Sequence, residues 1–533
     1  MTNHRIIYHN GRIFTSNPEQ PNAEAMVVEN GRIEWVGDDE KSESFEGERV
    51  NLNGHRVIPG FVDAHLHPLY LANSAKQIAC TAPLVNSIEE MIVEVQKQRA
   101  TQQAGEWIEG WGYDEGKLAD GRSPMRHDLD KAVTDSPVII TRTCGHIIAV
   151  NSKALELAGI TKDTPNPRGG EIDHDEHGEP TGILRENAKD LVIQKMPVLS
   201  IEENAERLAE LTPFLFKRGI TAITDLMARV APIDYMELYE EARKRGLEHR
   251  TVLYYMWEDL EKSPILNKEN TDRTKPTHIG GIKLFADGSV SGRTAWVNPS
   301  FSGDDDNQGI STTSSEELLA AAKMAKEHGI QVVVHAMGEQ AIDQIVNTFA
   351  DVDNWIEGAP SVRIEHAAMP TKHALEIAAK KGFAFVPQPV FLYAEIESYH
   401  NNLGIERTKT TYPVKTMLEA GIQVAFSSDA PATAWADPVD PFAGIQSAVT
   451  RIAYNGADTG QSERVSIETA IELYTRCAQE VTRIPDVGQL KVGYHADFIV
   501  LDQDILEVPA EKIAQVKVEN TYLGGRLVYS NKN

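Results

Sequence analysis

The sequence predicts an α/β fold: a (β/α)8 TIM barrel with a small β-sandwich domain formed by both termini and a large insertion after barrel strand 1. Three observations point to it. Eight apolar runs rich in β-branched residues recur along the chain, at residues 57–63, 220–225, 249–256, 281–286, 331–335, 362–366, 383–388 and 423–428. Helical patterns separate most of them, and SSEELLAAAKMAKEHG and TKHALEIAAKKG each close on a glycine that suits a helix C-terminus. Five of the runs end on residues that can hold a divalent metal: His65 with His67, Lys283, His335, His366 and Asp429. Strand C-termini converge on one rim of a parallel barrel, so these distant residues would form one site.

The N-terminal 56 residues read as short strands split by Asn10-Gly11, Asn30-Gly31 and Asn53-Gly54, pairs that favour type I′ turns because both residues tolerate positive φ. The final residues return to this style in VGYHADFIVLD and YLGGRLVYSN. Neither end makes a full sheet alone, so residues 1–56 and 484–533 are expected to build one β-sandwich domain, with the barrel over 57–483. Between the first and second barrel strands lie some 150 residues, far beyond an ordinary βα connection. Residues 68–205 are therefore expected to form an inserted subdomain, a candidate lid and substrate-selecting wall. Asp304-Asp305-Asp306 lacks EF-hand spacing and reads as a solvated loop.

Composition narrows the function classes. The net charge of −27, without a Lys/Arg block, argues against nucleic acid and anionic membrane as partners and leaves a small-molecule substrate. Three scattered cysteines without a CxxC fit a reducing compartment rather than a disulfide framework or a thiolate zinc site. The N-terminus MTNHRIIYHNGRIF has no apolar h-region, and no run of 18 apolar residues follows, so a cytoplasmic location is expected.

The candidate ligands carry the chemistry. His65 and His67 stand at i and i+2, which face the same side of a strand, so both imidazoles can reach one ion. His335 and His366 each end an apolar strand, and neutral imidazole suits zinc and similar ions. Asp429 could cap a following helix, or it could bind metal and take a proton from activated water before passing it to a leaving amine. Lys283 is the unusual member, because a plain ammonium beside a cationic metal is repelled. Either its buried amine reacts with carbon dioxide to give a carbamate bridging two metals, or it stays an ammonium, pairs with a carboxylate such as Asp287, and the site holds one metal.

These residues fit a known pattern. Through the His65-Leu66-His67 strand, GWGYDEGKLADGRSP, CGHIIAVNSKALELAGI, GEPTGILRENA, GIKLFADGS, HAMGEQA, EHA, SSDAP and GYHADFIVLD, the chain resembles the amidohydrolase superfamily. Within it, the chain is similar to the N-substituted formamide deformylase-like metal-dependent hydrolases. The resemblance implies a (β/α)8 barrel with a side β-sandwich, one or two divalent metals per chain, usually zinc, and a homo-oligomer. By analogy His65, His67 and Asp429 hold the more buried metal, His335 and His366 the second, and a carboxylated Lys283 bridges them. Metal-activated hydroxide would attack the substrate carbonyl, with Asp429 as proton shuttle.

On the substrate side, His146 and Asn151 in GHIIAVNS could polarise the scissile carbonyl or hold the substrate. Tyr113 with Asp114 and Glu115, and Arg185 with Glu186, could line the cleft, while Trp296 and Phe391 could supply an apolar wall. His174 and His177 sit in an apparent polar hairpin tip and are expected at the surface. The leading expectation is a metal-dependent amidohydrolase cleaving a C–N bond of an amide or N-substituted formamide. Its rivals are a deaminase or cyclic amidase acting on a heterocycle, and a metal-stabilised binding protein. An Asp base beside a Lys argues against the last, since structural zinc sites are closed.

Overall fold

The computed structural model describes residues 5–143, 145, 147–167 and 170–531. Eight strands stand side by side in chain order as one parallel sheet: β1 Phe61–Asp63, β2 Ile220–Ala228, β3 Arg250–Met256, β4 Thr277–Phe285, β5 Gln331–Ala336, β6 Val362–His366, β7 Ala384–Val386 and β8 Gln423–Val424. Every neighbouring pair runs parallel. Such strands are covered on both faces, which is why they read as continuous apolar runs rather than alternating ones. Val62, Ala222, Val252, Tyr254, Val333 and Val386, drawn from five of them, share one hydrophobic cluster.

The edges of this sheet are tied beyond β1 and β8. Ser428 donates from Oγ and N to the Asp63 carboxylate at 2.6 and 3.1 Å, and the Asp429 N–H donates to the His65 carbonyl at 2.7 Å. The sheet is thus TIM-barrel-like. The helices between strands have local stop and start signals. Ser314 and Glu317 form a capping box at the start of Ser315–His328, and Gly329 ends that helix in the left-handed conformation; Lys372–Lys381 starts with the Thr371 hydroxyl accepting from the Ala374 N–H and ends on a left-handed Gly382.

Two further sheets arise from the chain ends. One has four strands, in the order Arg32–Gly37, Ala25–Glu29, Arg5–His9, Glu48–Asn51. The other mixes both ends, in the order Arg526–Ser530, Val518–Leu523, Phe498–Leu501, Arg56–Pro59, Arg12–Phe14, Asn22–Ala23. Tyr8, Met26 and Ile33 from the first share a hydrophobic cluster with Val57, Phe498 and Tyr522 from the second, and Phe498 stacks on Tyr522 with ring centroids 4.4 Å apart.

Two expectations need correction here. Residues 57–59 belong to the terminal sheet, pairing with Phe498–Leu501, so barrel strand 1 begins only at Phe61. Of the Asn-Gly pairs, only Asn30-Gly31, with both residues at positive φ, closes a hairpin within one sheet. Asn10 has positive φ without Gly11, and Asn53-Gly54 connects strands of different sheets.

The chain forms two compact units. One runs to Pro68 and takes in Asn204–Asp429 and the residues from Val439 on; the other is Leu69–Glu203 with Ala430–Pro438. The second unit has its own six-stranded sheet, in the order Gly170–His174, Pro180–Glu186, Ile147–Val150, Val138–Arg142, Ile108–Tyr113, Ile78–Ala79. Its first two strands are an antiparallel hairpin with His174 and His177 exposed at the tip, as the sequence suggested. Among the described residues no helix is long and apolar enough to cross a membrane.

Gly60 is the point where the chain passes from the terminal sheet into the barrel. A Cβ there would lie 2.3 Å from Thr221 Oγ1 and 2.5 Å from its Cγ2. Gly60→Ala is therefore expected to lower the unfolding midpoint, by about 1–3 kcal/mol of overpacking. Thr221→Ala in the same chain should restore part of the loss, and an unchanged midpoint in the single variant would mean that β1 and β2 can separate freely.

Candidate metal centre

His65 and His67 leave the end of β1, Lys283 lies near the end of β4, His335 near the end of β5, His366 ends β6, and Asp429 follows β8. The structure brings His65, His366 and Asp429 so close that one ligand atom of each lies within 4.8 Å of the others. His67 Nε2–H donates to Asp429 Oδ1 at 2.8 Å, and His65 Nε2 lies 3.1 Å from the same oxygen. The His335 and His366 ring centroids are 4.4 Å apart, and those of His65 and His366 are 5.1 Å apart. Asp429 caps no helix: the helix Pro441–Thr450 that follows it is capped by Asp440.

Three of the imidazoles are oriented by a second group. His65 Nδ1–H donates to Glu365 Oε2 at 2.6 Å, leaving Nε2 on the Asp429 side. Gln388 donates its amide N–H groups to Val386 O and Ser427 Oγ, so its oxygen must accept from His366 Nδ1–H, at 2.7 Å. That leaves His366 Nε2 as a lone-pair donor. His335 Nε2–H donates to Gly288 O at 3.0 Å, which leaves Nδ1 as the lone-pair atom. Fixing one ring nitrogen so that the other is a ligand is how metal-binding histidines are prepared.

Glu365 is itself held from below. The Arg363 guanidinium reaches both its oxygens at 3.0 and 3.2 Å, and also donates to Tyr254 Oη and to the Ala64 carbonyl. Arg363 and Glu365 are fully buried. Burial alone would raise the Glu365 carboxyl, yet Arg363 and His65 hold it down at about 2. Asp429 stays well below the usual carboxylate range despite burial, because His65 and His67 face it. Burial pushes His335 down to about 3, with Lys283 adding to the effect. Burial also holds His366 well below the usual imidazole range, with His335 contributing next.

Lys283 is 1 % exposed and, among the described residues, its Nζ has no hydrogen-bond partner; it lies 4.9 Å from the Phe285 ring centroid. Burial pushes the amine down to about 8, although Glu365 and Asp429 work against the shift. The suggested Lys283–Asp287 pair is not what forms. Asp287 accepts from the backbone N–H groups of Trp296, Met337 and Gly338, lies 3.5 Å from His335 Nε2, and is raised by burial to about 7. A buried amine without a partner, ringed by imidazoles with free nitrogens and a carboxylate, fits a divalent metal centre far better than a closed polar core.

Two of these residues hold an uncommon backbone. His366 has φ 67° and Asp429 φ 55°, and Ala367 follows at 44°. For residues other than glycine this conformation costs of order 1–3 kcal/mol, and it clusters at functional sites.

The substrate candidates divide. Phe391 is buried with its ring stacked on His366 at 6.0 Å, so it does stand at the centre. Trp296 is half-buried, and its backbone N–H is bound to Asp287. Asn151 is fully buried and uses its whole amide internally: the oxygen accepts from Val138 N and Ala154 N, and the nitrogen donates to Val133 O and Ser136 O. This helix-capping role leaves nothing for substrate. Tyr113 is packed into the hydrophobic core of the second unit, and Arg185 is paired through two nitrogens with Asp173. Neighbouring Glu115 is likewise paired with Arg142. His146 lies outside the described residues. Sequence reading missed Glu365, Arg363 and Gln388; the alternation of two charged residues with Val362 and Ile364 in VRIEH was the available signal.

Comparison with known proteins finds relatives along nearly the whole chain. Bacillus subtilis (strain 168) YtcJ is 33% identical over 98% of this chain and 99% of its own. The N-substituted formamide deformylase of Arthrobacter pascens is 26% identical over 98% and 97%. The crystal structure of an uncharacterized metal-dependent hydrolase from Pyrococcus horikoshii OT3 superposes with a TM-score of 0.76 at 28% identity, covering 95% of this chain and 99% of that one. The amidohydrolase family profile matches residues 48–529, nine-tenths of the sequence, and the chain belongs to that family.

Proposed function

We propose that the protein is a metal-dependent hydrolase that cleaves the C–N bond of an amide or N-substituted formamide. The observation that carries this reading is the convergence of His65, His366 and Asp429 beside the unpartnered amine of Lys283. The full-length similarity to a protein named as an N-substituted formamide deformylase supports the bond type.

In this reading His65, His67 and Asp429 would hold one ion, zinc by its preference for imidazole nitrogen with carboxylate oxygen, and His335 and His366 would hold a second. Divalent metal supplies Lewis acidity there, polarising a carbonyl and acidifying water. Lys283, whose amine burial brings down to about 8, would take up carbon dioxide at Nζ as the free base, releasing a proton, and as a carbamate would be a further anionic ligand for the metal. Asp429, kept ionised by His65 and His67, accepts the proton of the attacking water and returns it to the departing amine. Glu365 holds the His65 ring in the required tautomer, and the stacked ring of Phe391 limits water around His366.

Three outcomes test this. Asp429→Asn should keep the fold by circular dichroism and lower kcat on a formamide panel by about 10²–10⁴-fold, the usual contribution of a positioned proton carrier; wild-type turnover in that variant would remove Asp429 from the mechanism. Elemental analysis of chelator-free protein in bicarbonate buffer should give about two zinc-like ions per chain, as two-metal sites require, falling in Lys283→Met. A wild-type value near one would instead favour an unmodified lysine and a single-metal site. Glu365→Gln should weaken metal binding by roughly 10–100-fold and also lower the melting temperature, because Arg363 is left buried without its counter-charge. Unchanged metal affinity would confine Glu365 to a packing role.

A further inference from the structure

At the N-terminal ends of β3 and β4 a pocket of about 330 Å³ gathers positive charge in a strongly acidic chain. Arg250 opens β3, Arg273 and Lys275 precede β4, and Arg32 reaches in from the terminal sheet. Asp486 is the single carboxylate among the lining residues, and Arg32 takes it at 2.9 Å. Arg250 is bound to Asp497, which lies buried behind it. Lys275 is paired with the exposed Glu269 at 3.0 Å, a surface pair of little worth, and the Asp272 carboxylate also lies near it.

Arg273 is the decisive residue. Its Nε and Nη2 donate to one backbone carbonyl, that of Arg483, and the Arg483 side chain in turn donates to the Gly329 carbonyl. Among the described residues neither guanidinium meets a carboxylate. Burial lowers both pKa values; Arg273 adds to the depression at Arg483, while Tyr254 and Asp486 act against the shift at Arg273. His278 and His495, also in the wall, are pushed down to about 4 by burial and are uncharged near pH 7; the His278 Nδ1–H is spent on the Lys275 carbonyl at 3.4 Å, and His495 Nε2 accepts from Arg32 at 3.4 Å, which leaves Nδ1 as the protonated atom of the His495 ring.

We propose that this pocket binds a phosphate-type oxyanion on the face of the barrel away from the metal centre. Guanidinium forks match the oxygens of a tetrahedral oxyanion, and Arg273, which no carboxylate pairs among the described residues, is the cation left to take it. The pocket holds about 330 Å³, and the chain at −27 has no Lys/Arg block in its sequence, which fits a small anion and not a nucleic acid. It is also separate from the hydrolytic site: Lys283 lies five residues beyond His278 along β4, roughly 16 Å at the rise of a parallel strand. An anion there would join the terminal sheet at Arg32 and His495, the starts of β3 and β4, and the segment around Asp486, and so stabilise the folded state in proportion to its concentration.

The test is isothermal titration of the full chain, as purified, with inorganic phosphate and with glycerol 3-phosphate at constant ionic strength. One saturable site is expected, weakened at least tenfold in Arg273→Gln and several-fold in Lys275→Gln, and unchanged in Asp429→Asn. Melting temperature should rise with phosphate and not with chloride. Tighter binding of glycerol 3-phosphate would identify a phosphomonoester as the occupant, and equal or weaker binding would identify free phosphate. If Arg273→Gln does not fold, Lys275→Gln decides. Absence of saturable binding, or binding that survives both pocket variants and disappears in Asp429→Asn, would overturn the proposal and place the anion at the metal centre.

Discussion

The Arg363 guanidinium lies at the bottom of the metal centre with no access to water, and the groups above it depend on where it puts its charge. Two of its nitrogens face Glu365, a third reaches Tyr254 Oη, and Glu365 then binds His65 Nδ1. Tyr254 passes its own hydrogen on to Gln331, whose amide is tied to Pro360 and Val481 carbonyls. A buried ion pair gains little net stability over an apolar packing of the same volume, but breaking one strands a charge at a cost of about 3–5 kcal/mol. What the chain gains is orientation: an imidazole held from a fully satisfied network cannot turn away from its ligand geometry.

A similar logic explains the strained backbone at His366 and Asp429. A strand that simply continued would project successive side chains to alternate faces, and β6 must present Glu365 towards His65 while the next residue also reaches the centre. The left-handed turn at His366 and Ala367 allows both. At Asp429 the same conformation accompanies a backbone N–H bound to the His65 carbonyl, so the strain is held at the point where the two edges of the sheet are tied together. Asp63 is fixed there too; burial raises its carboxyl to about 6 against the two bonds from Ser428.

The parts of this arrangement legible from sequence were those with a local signal. Apolar runs mark the eight strands because parallel strands are covered on both faces, and glycines after lysine- or histidine-ended helices mark the stops at Gly329 and Gly382. The handover at Gly60 was not legible, since RVIPGFVD reads as one strand and only tertiary pairing divides it between two sheets. Arg363 and Glu365 were overlooked because charged residues inside an apolar run look like interruptions until their partners, Tyr254 and His65, are known to lie opposite. Asn151 shows the reverse error: an Asn beside a helical segment is more economically read as its cap, and here that role uses every atom of the amide.

Charge balance links the state of Lys283 to the number of ions. With an ammonium at Lys283 the buried centre holds two cations, Lys283 and Arg363, against two carboxylates held low, Glu365 and Asp429. Turning the ammonium into a carbamate changes its charge from +1 to −1, a difference equal and opposite to the +2 of one added divalent ion. In a cavity this dry, an uncompensated charge of that size is prohibitive. Carbon dioxide uptake at Nζ and divalent-ion occupancy should therefore rise and fall together. Metal stoichiometry measured without bicarbonate would then report the condition of the lysine as much as the affinity of His335 and His366.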